Sequence, residues 1–188
     1  MLIDLVQTND IINLGFDEIL EVKINKINSS NQIQKIKEDL VIIRGGKLNR
    51  EISTSKKVHI LLSPELYKEE DSLHQRNSGL NQVICKLANK NKVAIGINFN
   101  EILKLNNREK RLGKIIQNIK LCRKYKVRMV LATFATNQSE LRSPVELMAF
   151  AQSLGMTPKE AKDALNISLV LKDKETLRKI NLIKPKHL

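Results

Sequence analysis

Short apolar runs alternate with amphipathic stretches along this chain, and the alternation predicts its elements. Leu2 to Val6 suits a buried strand. Asn9 to Leu14 reads as a short helical segment that Gly15 can close. From Ile19 to Ile24, four apolar residues (Ile19, Leu20, Val22, Ile24) are set against Glu21 and Lys23, which predicts a second strand. Ser30 or Asn31 can cap a helix running to about Asp39, with Ile33 and Ile36 inward. Leu40 to Ile43 is a third strand, stopped by Gly45-Gly46, and Val58 to Leu62 is another. Residues 63–79 are polar and irregular, a loop long enough to have a task of its own.

Leu80, Val83, Ile84, Leu87 and Ala88 then repeat at helical spacing, with Asn77 or Ser78 placed to cap. Val93 to Ile97 is a strand. Leu112, Ile115, Ile116, Ile119 and Cys122 mark a long helix, and Val127 to Thr133 is a strand. Two helices close the pattern. Ser143-Pro144-Val145-Glu146 and Thr157-Pro158-Lys159-Glu160 are both capping boxes with Pro at the first helical position, and Gly155 ends the first of these helices.

Strands alternating with helices predict an α/β protein with a mostly parallel sheet. The strands predicted in 188 residues are too few for a regular eight-fold barrel, which usually takes about 250 residues. A compact or incomplete barrel is therefore expected, with a doubly wound open sheet as the alternative. Residues 1–188 read as a single domain with a frayed tail from about Lys184.

Charge adds the first functional signal. Lys and Arg total 33 against 20 Asp and Glu, a net charge of +13. That excess points to an anionic partner, nucleic acid above all; a basic protein kept soluble by its charge is the plainer reading. No apolar run is long enough for a membrane helix, and the N-terminus lacks the basic start of a signal peptide. Cys85 and Cys122 sit among apolar neighbours and read as reduced core residues of a cytoplasmic protein.

Catalytic chemistry finds little support. The histidines are His59, His74 and His187, with no HxH, HExxH or CxxC, so no histidine-based metal site is expected. Asp4 and Glu21 lie near strand ends, but ordinary solvated or capping acids explain them better. No GxSxG is present. Gly45-Gly46-Lys47 lacks the spacing of a phosphate loop and reads as a strand-ending turn. No catalytic residue, metal ligand or bound cofactor is assigned.

RNA binding is better supported. Between Lys104 and Arg128 there are ten basic residues and one acid, Glu109. At 100° per residue the apolar set takes one side of the helix. Lys110, Lys114, Lys120 and Lys124 fall opposite, Arg111 at the edge, and Leu121 lies among the lysines. A solvated face usually mixes signs to gain i,i+4 pairs, and this one is almost purely cationic. Arg123 projects near the apolar stripe, where it can snorkel or cap carbonyls. Arg142 precedes the capping Ser143, which suits a phosphate or an ion pair with Glu140 or Glu146. Arg76 and His74 can reach RNA from the long loop, or the loop merely caps. Aromatics are only 3% of the chain, so recognition by shape and phosphate is expected, without aromatic stacking.

These stretches resemble ribonuclease P protein component 3. The resemblance is carried by His74-Gln75-Arg76-Asn77-Ser78-Gly79-Leu80-Asn81, Val93-Ala94-Ile95-Gly96 with Phe99, and Gln117-Asn118 followed by Leu121 to Val127. Leu141-Arg142-Ser143-Pro144, Leu147-Met148 and Leu154-Gly155-Met156 extend it. It implies a TIM-like barrel of the polymerase-and-histidinol-phosphatase type. It also implies a subunit that supports RNA-catalysed removal of the 5′ leader from precursor tRNA, with magnesium belonging to the RNA subunit. Implied partners are the RNase P RNA, component 2 and other protein subunits, with precursor tRNA as substrate. Carried onto this chain, the RNA-binding residues are Arg76, Arg123, Lys124 and Arg142, joined by Arg108, Arg111 and Lys120. Two departures stand out: Gln75 where the family often has Arg, and Phe134 where it often has small residues. The related metal hydrolases carry HxH at the first strand's end, where this chain has Leu5-Val6-Gln7. A metal-dependent phosphoesterase and a general RNA-binding protein are the alternatives.

Overall fold

The computed structural model describes residues 1–8, 10–67, 71, 76–104, 106 and 108–173. Among these residues seven short strands are formed: β1 (Ile3–Val6), β2 (Glu18–Glu21), β3 (Ile24–Asn25), β4 (Ile42–Arg44), β5 (Ile60–Leu62), β6 (Ala94–Asn98) and β7 (Met129–Ala132). Every pairing is parallel. β3-β4-β5-β6-β7 make a five-stranded sheet in sequential order, and β1-β2 make a second ladder.

Sequential order excludes the doubly wound alternative, which requires the strand order to reverse. It also puts all the right-handed crossovers on one face, leaving the other face to cover itself. The core shows that it does. Ile3, Leu5, Leu20, Val22, Ile42, Ile60, Leu62, Ala94, Val130, Ala132 and Phe134, alternate residues of nearly every strand, meet in one apolar cluster. Gly96 belongs to this inner set: a Cβ there would lie 2.7 Å from a methyl of Ile60. Ile167, Val170 and Leu171 add to this core from the last helix.

The ladder is interrupted in two places, so it is not a closed barrel. After β7, Phe134 N–H donates to Leu5 O and Gln7 N–H to Ala135 O, both at 2.8 Å, which seats β1 beside the end of β7. The single strand expected over Ile19–Ile24 divides into β2 and β3, which pair with different neighbours, β1 and β4. Asp4 pins the β1–β7 seam, accepting from Thr133 N–H at 2.8 Å and from the Thr133 hydroxyl. Burial drives its carboxyl up to about 6 against the opposing Thr133 hydrogen bonds.

Eight helices occur among the described residues: α1 (Gln32–Lys35), α2 (Asn49–Thr54), α3 (Gln82–Asn91), α4 (Phe99–Leu103), α5 (Arg108–Lys124), α6 (Pro144–Ser153), α7 (Pro158–Ala164) and α8 (Ser168–Asp173). Two outer clusters seat them on the sheet, one holding Ile52, Ile84, Cys85 and Cys122, the other Phe99, Ile115, Ile119, Leu147 and Ala161. Both capping boxes form at α6 and α7.

Several expectations are corrected. Residues 10–14 are not helical. α1 is a single turn without a side-chain cap: Asn31 before it is itself in the right-handed helical conformation, and the Gln32 side chain accepts from Asn28 N–H and Ser29 N–H. α3 is capped by Asn81, whose side chain accepts from Ile84 N–H, not by Asn77 or Ser78. α2 follows the Gly45-Gly46 turn, and α2, α4 and α8 are too short for their periodicity to stand out. The expected frayed tail lies outside the described residues.

Candidate nucleic-acid interface

α5 supplies the cationic surface, but the chain before α3 redraws it. Asp71 and residues 76–79 lie across the helix. Asp71 approaches Lys114 Nζ at 3.5 Å, Gln117 Nε2 donates to Arg76 O at 3.3 Å, and Asn118 Nδ2 donates to Ser78 O at 3.0 Å. Lys114, expected to face outward, is therefore buried, with only 3% exposure. A 100° helical wheel cannot see a covering segment from elsewhere in the chain. Leu121 is likewise half-buried against the α2–α3 core, so it is not a lone exposed leucine.

The seven basic candidates divide into two groups. Lys120 and Lys124 are exposed, and Lys124 lies over the Tyr125 ring at 5.6 Å. Arg108 is exposed and donates to Leu103 O. Arg76 is exposed, and its guanidinium rests on α5 at Gly113, where a Cβ would lie 2.4 Å from Nη1. These four present charge outward.

Arg111, Arg123 and Arg142 have internal partners. Arg111 turns inward to Glu65, with Nη1 3.6 Å from the carboxylate. Burial raises the Glu65 carboxyl to about 7, with Arg111 opposing the rise. Arg44 and Glu101 form a neighbouring ion pair. Arg123 makes a two-pronged contact with Glu160 at 2.7 and 2.6 Å and also donates to Gly155 O, tying α5 to the start of α7. That contact holds the Glu160 carboxyl down at about 2 against the opposing effect of burial. Arg123 thus neither snorkels nor caps its own helix. Its exposed edge, about 44% of the side chain, still faces solvent. Arg142 donates to Ser139 O and Leu141 O and lies 5.6 Å over the Phe99 ring. It forms no ion pair with Glu140, which is taken by Lys104 and Thr136. Burial would raise Glu140, but those hydrogen bonds outweigh it and hold it at about 2. His74 and Gln75 lie outside the described residues.

Sequence reasoning reads Lys47 only as part of a strand-ending turn and passes over Arg50. Both are exposed and, with Arg76, line a groove beside α3. Nothing in local sequence links residues 47–50 to residue 76; the sheet order brings them together. Among the described residues, no three His, Cys, Asp or Glu side chains are grouped as a metal ion requires. Asp4 is spent on Thr133, and Glu21 is exposed.

A sequentially wound parallel α/β sheet with cationic outer helices defines a basic α/β scaffold without a grouped metal-ligand set among the described residues. Residues 20–179 match the family described as RNase P subunit p30, and the chain belongs to that family. It is 39% identical over 132 residues to ribonuclease P protein component 3 of Methanosarcina mazei, covering 68% of this chain and 52% of that protein. It is 30% identical over 170 residues to the component 3 protein of Methanocaldococcus jannaschii, covering 85% of this chain and 70% of that one. A chain in the cryo-EM structure of archaeal ribonuclease P with mature tRNA superimposes with a TM-score of 0.71 at 26% identity, over 91% of this chain and 75% of that one. The chain thus spans about half the length of the Methanosarcina mazei relative.

Proposed function

We propose that this chain is a protein subunit of ribonuclease P, supporting RNA-catalysed removal of the 5′ leader from precursor tRNA. The observation that carries the reading is family membership over residues 20–179, together with the likeness to a chain of archaeal ribonuclease P bound to mature tRNA. The cationic side chains of Arg76, Arg108, Lys120 and Lys124 supply phosphate contacts, which fix position without reading sequence. Arg123 and Arg142 are organised by internal bonds and offer their remaining donors. Arg111 contributes through Glu65, by holding α5 in place. The partners are the RNase P RNA, component 2 and other protein subunits, in the cytoplasm; no helix among the described residues is long and apolar enough to cross a membrane. Magnesium belongs to the RNA subunit, and no residue here is assigned to it.

The finer fold reading goes with this role. The self-covered inner core supports an incomplete TIM-like barrel of the polymerase-and-histidinol-phosphatase type. A metal-dependent phosphoesterase is disfavoured, because Leu5-Val6-Gln7 stands where those enzymes carry HxH.

The purified chain separates these readings. It should bind RNase P RNA with a log–log salt slope of about −0.7 to −0.9 per phosphate contacted, and it should cleave nothing by itself. Chelator-sensitive phosphoester turnover by the chain alone would instead establish the enzyme.

A further inference from the structure

The chain's positive charge is unevenly spread. Lys and Arg total 33 of its 188 residues, yet residues 1–22 contain none and residues 129–158 contain one, Arg142. The fold brings these two stretches together. Leu2, Phe16, Leu147 and Met148 share one apolar cluster, and Ile11 packs on another that holds Leu141. A Cβ at Gly15 would lie 4.0 Å from Pro144 Cδ. Leu14 and Val145, next in sequence to these two residues, are 44% and 70% exposed, and Ile12 is 42% exposed. We propose that this face, residues 10–15 with the outer side of α6, docks a basic protein subunit through an apolar side chain flanked by lysine or arginine. The proposal rests on the reading of the chain as a ribonuclease P subunit.

Both halves of the face display apolar groups in fixed positions. Asn13 Oδ1 accepts from Gly15 N–H at 3.1 Å and from Phe16 N–H at 2.8 Å, and Asn13 Nδ2 donates to Phe16 O at 2.7 Å. Gly15 completes the turn with φ +99°. This turn buries Phe16 and leaves Leu14 at the surface. α6 is held at its start by its capping box and buries Leu147 and Ala151. Its exposed side carries Val145, Ala149 and Gln152, spaced i, i+4, i+7. A surface helix ordinarily turns charged residues outward. α6 has one charged residue, Glu146, and a carboxylate oxygen of it is used on the Ser143 N–H and hydroxyl. Exposed apolar groups rimmed by polar ones mark protein contacts, and pre-formed ones lose less entropy on binding.

Charge selects the occupant. RNA affinity comes from Lys and Arg set against phosphates, and residues 10–15 and α6 contain neither. They offer Asp10, which is exposed. Beside them Asp17 accepts from Leu2 N–H at 2.6 Å, lies 4.0 Å from the terminal ammonium and keeps 60% of its side chain exposed. Arg142 borders the face, held by Ser139 O and Leu141 O over the Phe99 ring. Proteins that gather on one RNA share a need for positive charge, so two of them repel wherever their basic surfaces meet. On a chain of net charge +13, a patch without Lys or Arg is where a second basic protein can approach with least repulsion. A second copy of this chain fits less well. A twofold contact sets a patch against itself, which brings Asp10 and Asp17 against their own counterparts.

The test measures binding of the full chain to each purified ribonuclease P protein subunit by calorimetry, and to RNase P RNA separately. The unaltered chain should bind a basic subunit. Leu14→Ala with Val145→Ala should weaken that binding roughly 10- to 100-fold, as loss of central apolar anchors does. RNA affinity should stay within about twofold, since no phosphate contact is removed. Both positions are exposed, and Val145→Ala alone reads the loss of one anchor if the double variant is unstable. Asp10→Lys should also weaken the subunit, by a factor that shrinks as salt rises. The proposal is overturned if no protein subunit binds a chain that does bind the RNA, or if the alanine variants keep full subunit affinity. It is also overturned if RNA affinity falls equally, which would make the face an RNA surface, or if sedimentation shows the face joining two copies. A chain that binds neither RNA nor subunits fails the subunit reading itself, and that outcome is distinct from the others.

Discussion

The guanidinium of Arg76 occupies the space that a side chain at Gly113 would fill. A glycine inside a long helix costs about 1 kcal/mol relative to alanine, and here it lets an exposed arginine lie flat on α5. Sequence alone offers no reason for Gly113. The contact joins residues 37 positions apart and fixes where Arg76 presents its charge.

Gly113→Ala should therefore separate stability from binding. The helix gains up to about 1 kcal/mol, because the clashing atoms are the far end of a flexible side chain. Displacing Arg76 should weaken RNA binding several-fold. Thermal melts and RNA titration on the same variant check both, and loss of binding with gain of stability is the expected signature.

Arg123 and Glu160 should behave as a coupled pair. A double-mutant cycle with Arg123→Ala and Glu160→Gln should give about 0.5–1 kcal/mol of coupling in denaturant titration, near the top of the range for surface pairs because the contact is two-pronged. Because Glu160 is depressed to about 2 from 4.5, its contribution is present above pH 4.5 and is lost as pH falls towards 2.

Glu65 and Asp4 carry the opposite pH dependence. Their folded carboxyls titrate near 7 and 6, above ordinary values of 4.5 and 3.8. Folding takes up a proton between each pair of values, so these groups favour the fold at low pH and lose that contribution as pH rises through 6 to 7. Melting temperature followed from pH 5 to 8 should fall for the native chain, and Glu65→Gln should flatten that fall.

Phe134 departs from the small residues expected at its position, and the core explains it. It is 1% exposed and belongs to the inner cluster, although its φ of +49° is unusual for an aromatic residue. Phe134→Ala should cost about 3–5 kcal/mol, read from the urea midpoint at unchanged slope.

The parallel α/β character, most strand positions and both capping boxes were legible in the sequence, because apolar period and caps are local signals. The split of Ile19–Ile24 into β2 and β3 was not, since it depends on which strand each half finds as neighbour. Basic character was legible, and its distribution was not. Lys114, Arg111 and Arg123 were read from a helical wheel, but Asp71, Glu65 and Glu160 approach them from elsewhere in the fold. The grouping of Lys47 and Arg50 with Arg76 was not legible for the same reason: sheet order, not spacing, brings them together.

The most direct measurement is cleavage of precursor tRNA by ribonuclease P reconstituted from RNA and protein subunits at low magnesium, with this chain present, omitted, or replaced by the Arg76→Ala, Arg123→Ala, Arg142→Ala triple variant. The account predicts a much lower rate on omission and an intermediate rate for a folded triple variant. Equal rates with and without the chain would contradict its role as a subunit, and full activity of the triple variant would contradict the assignment of those arginines.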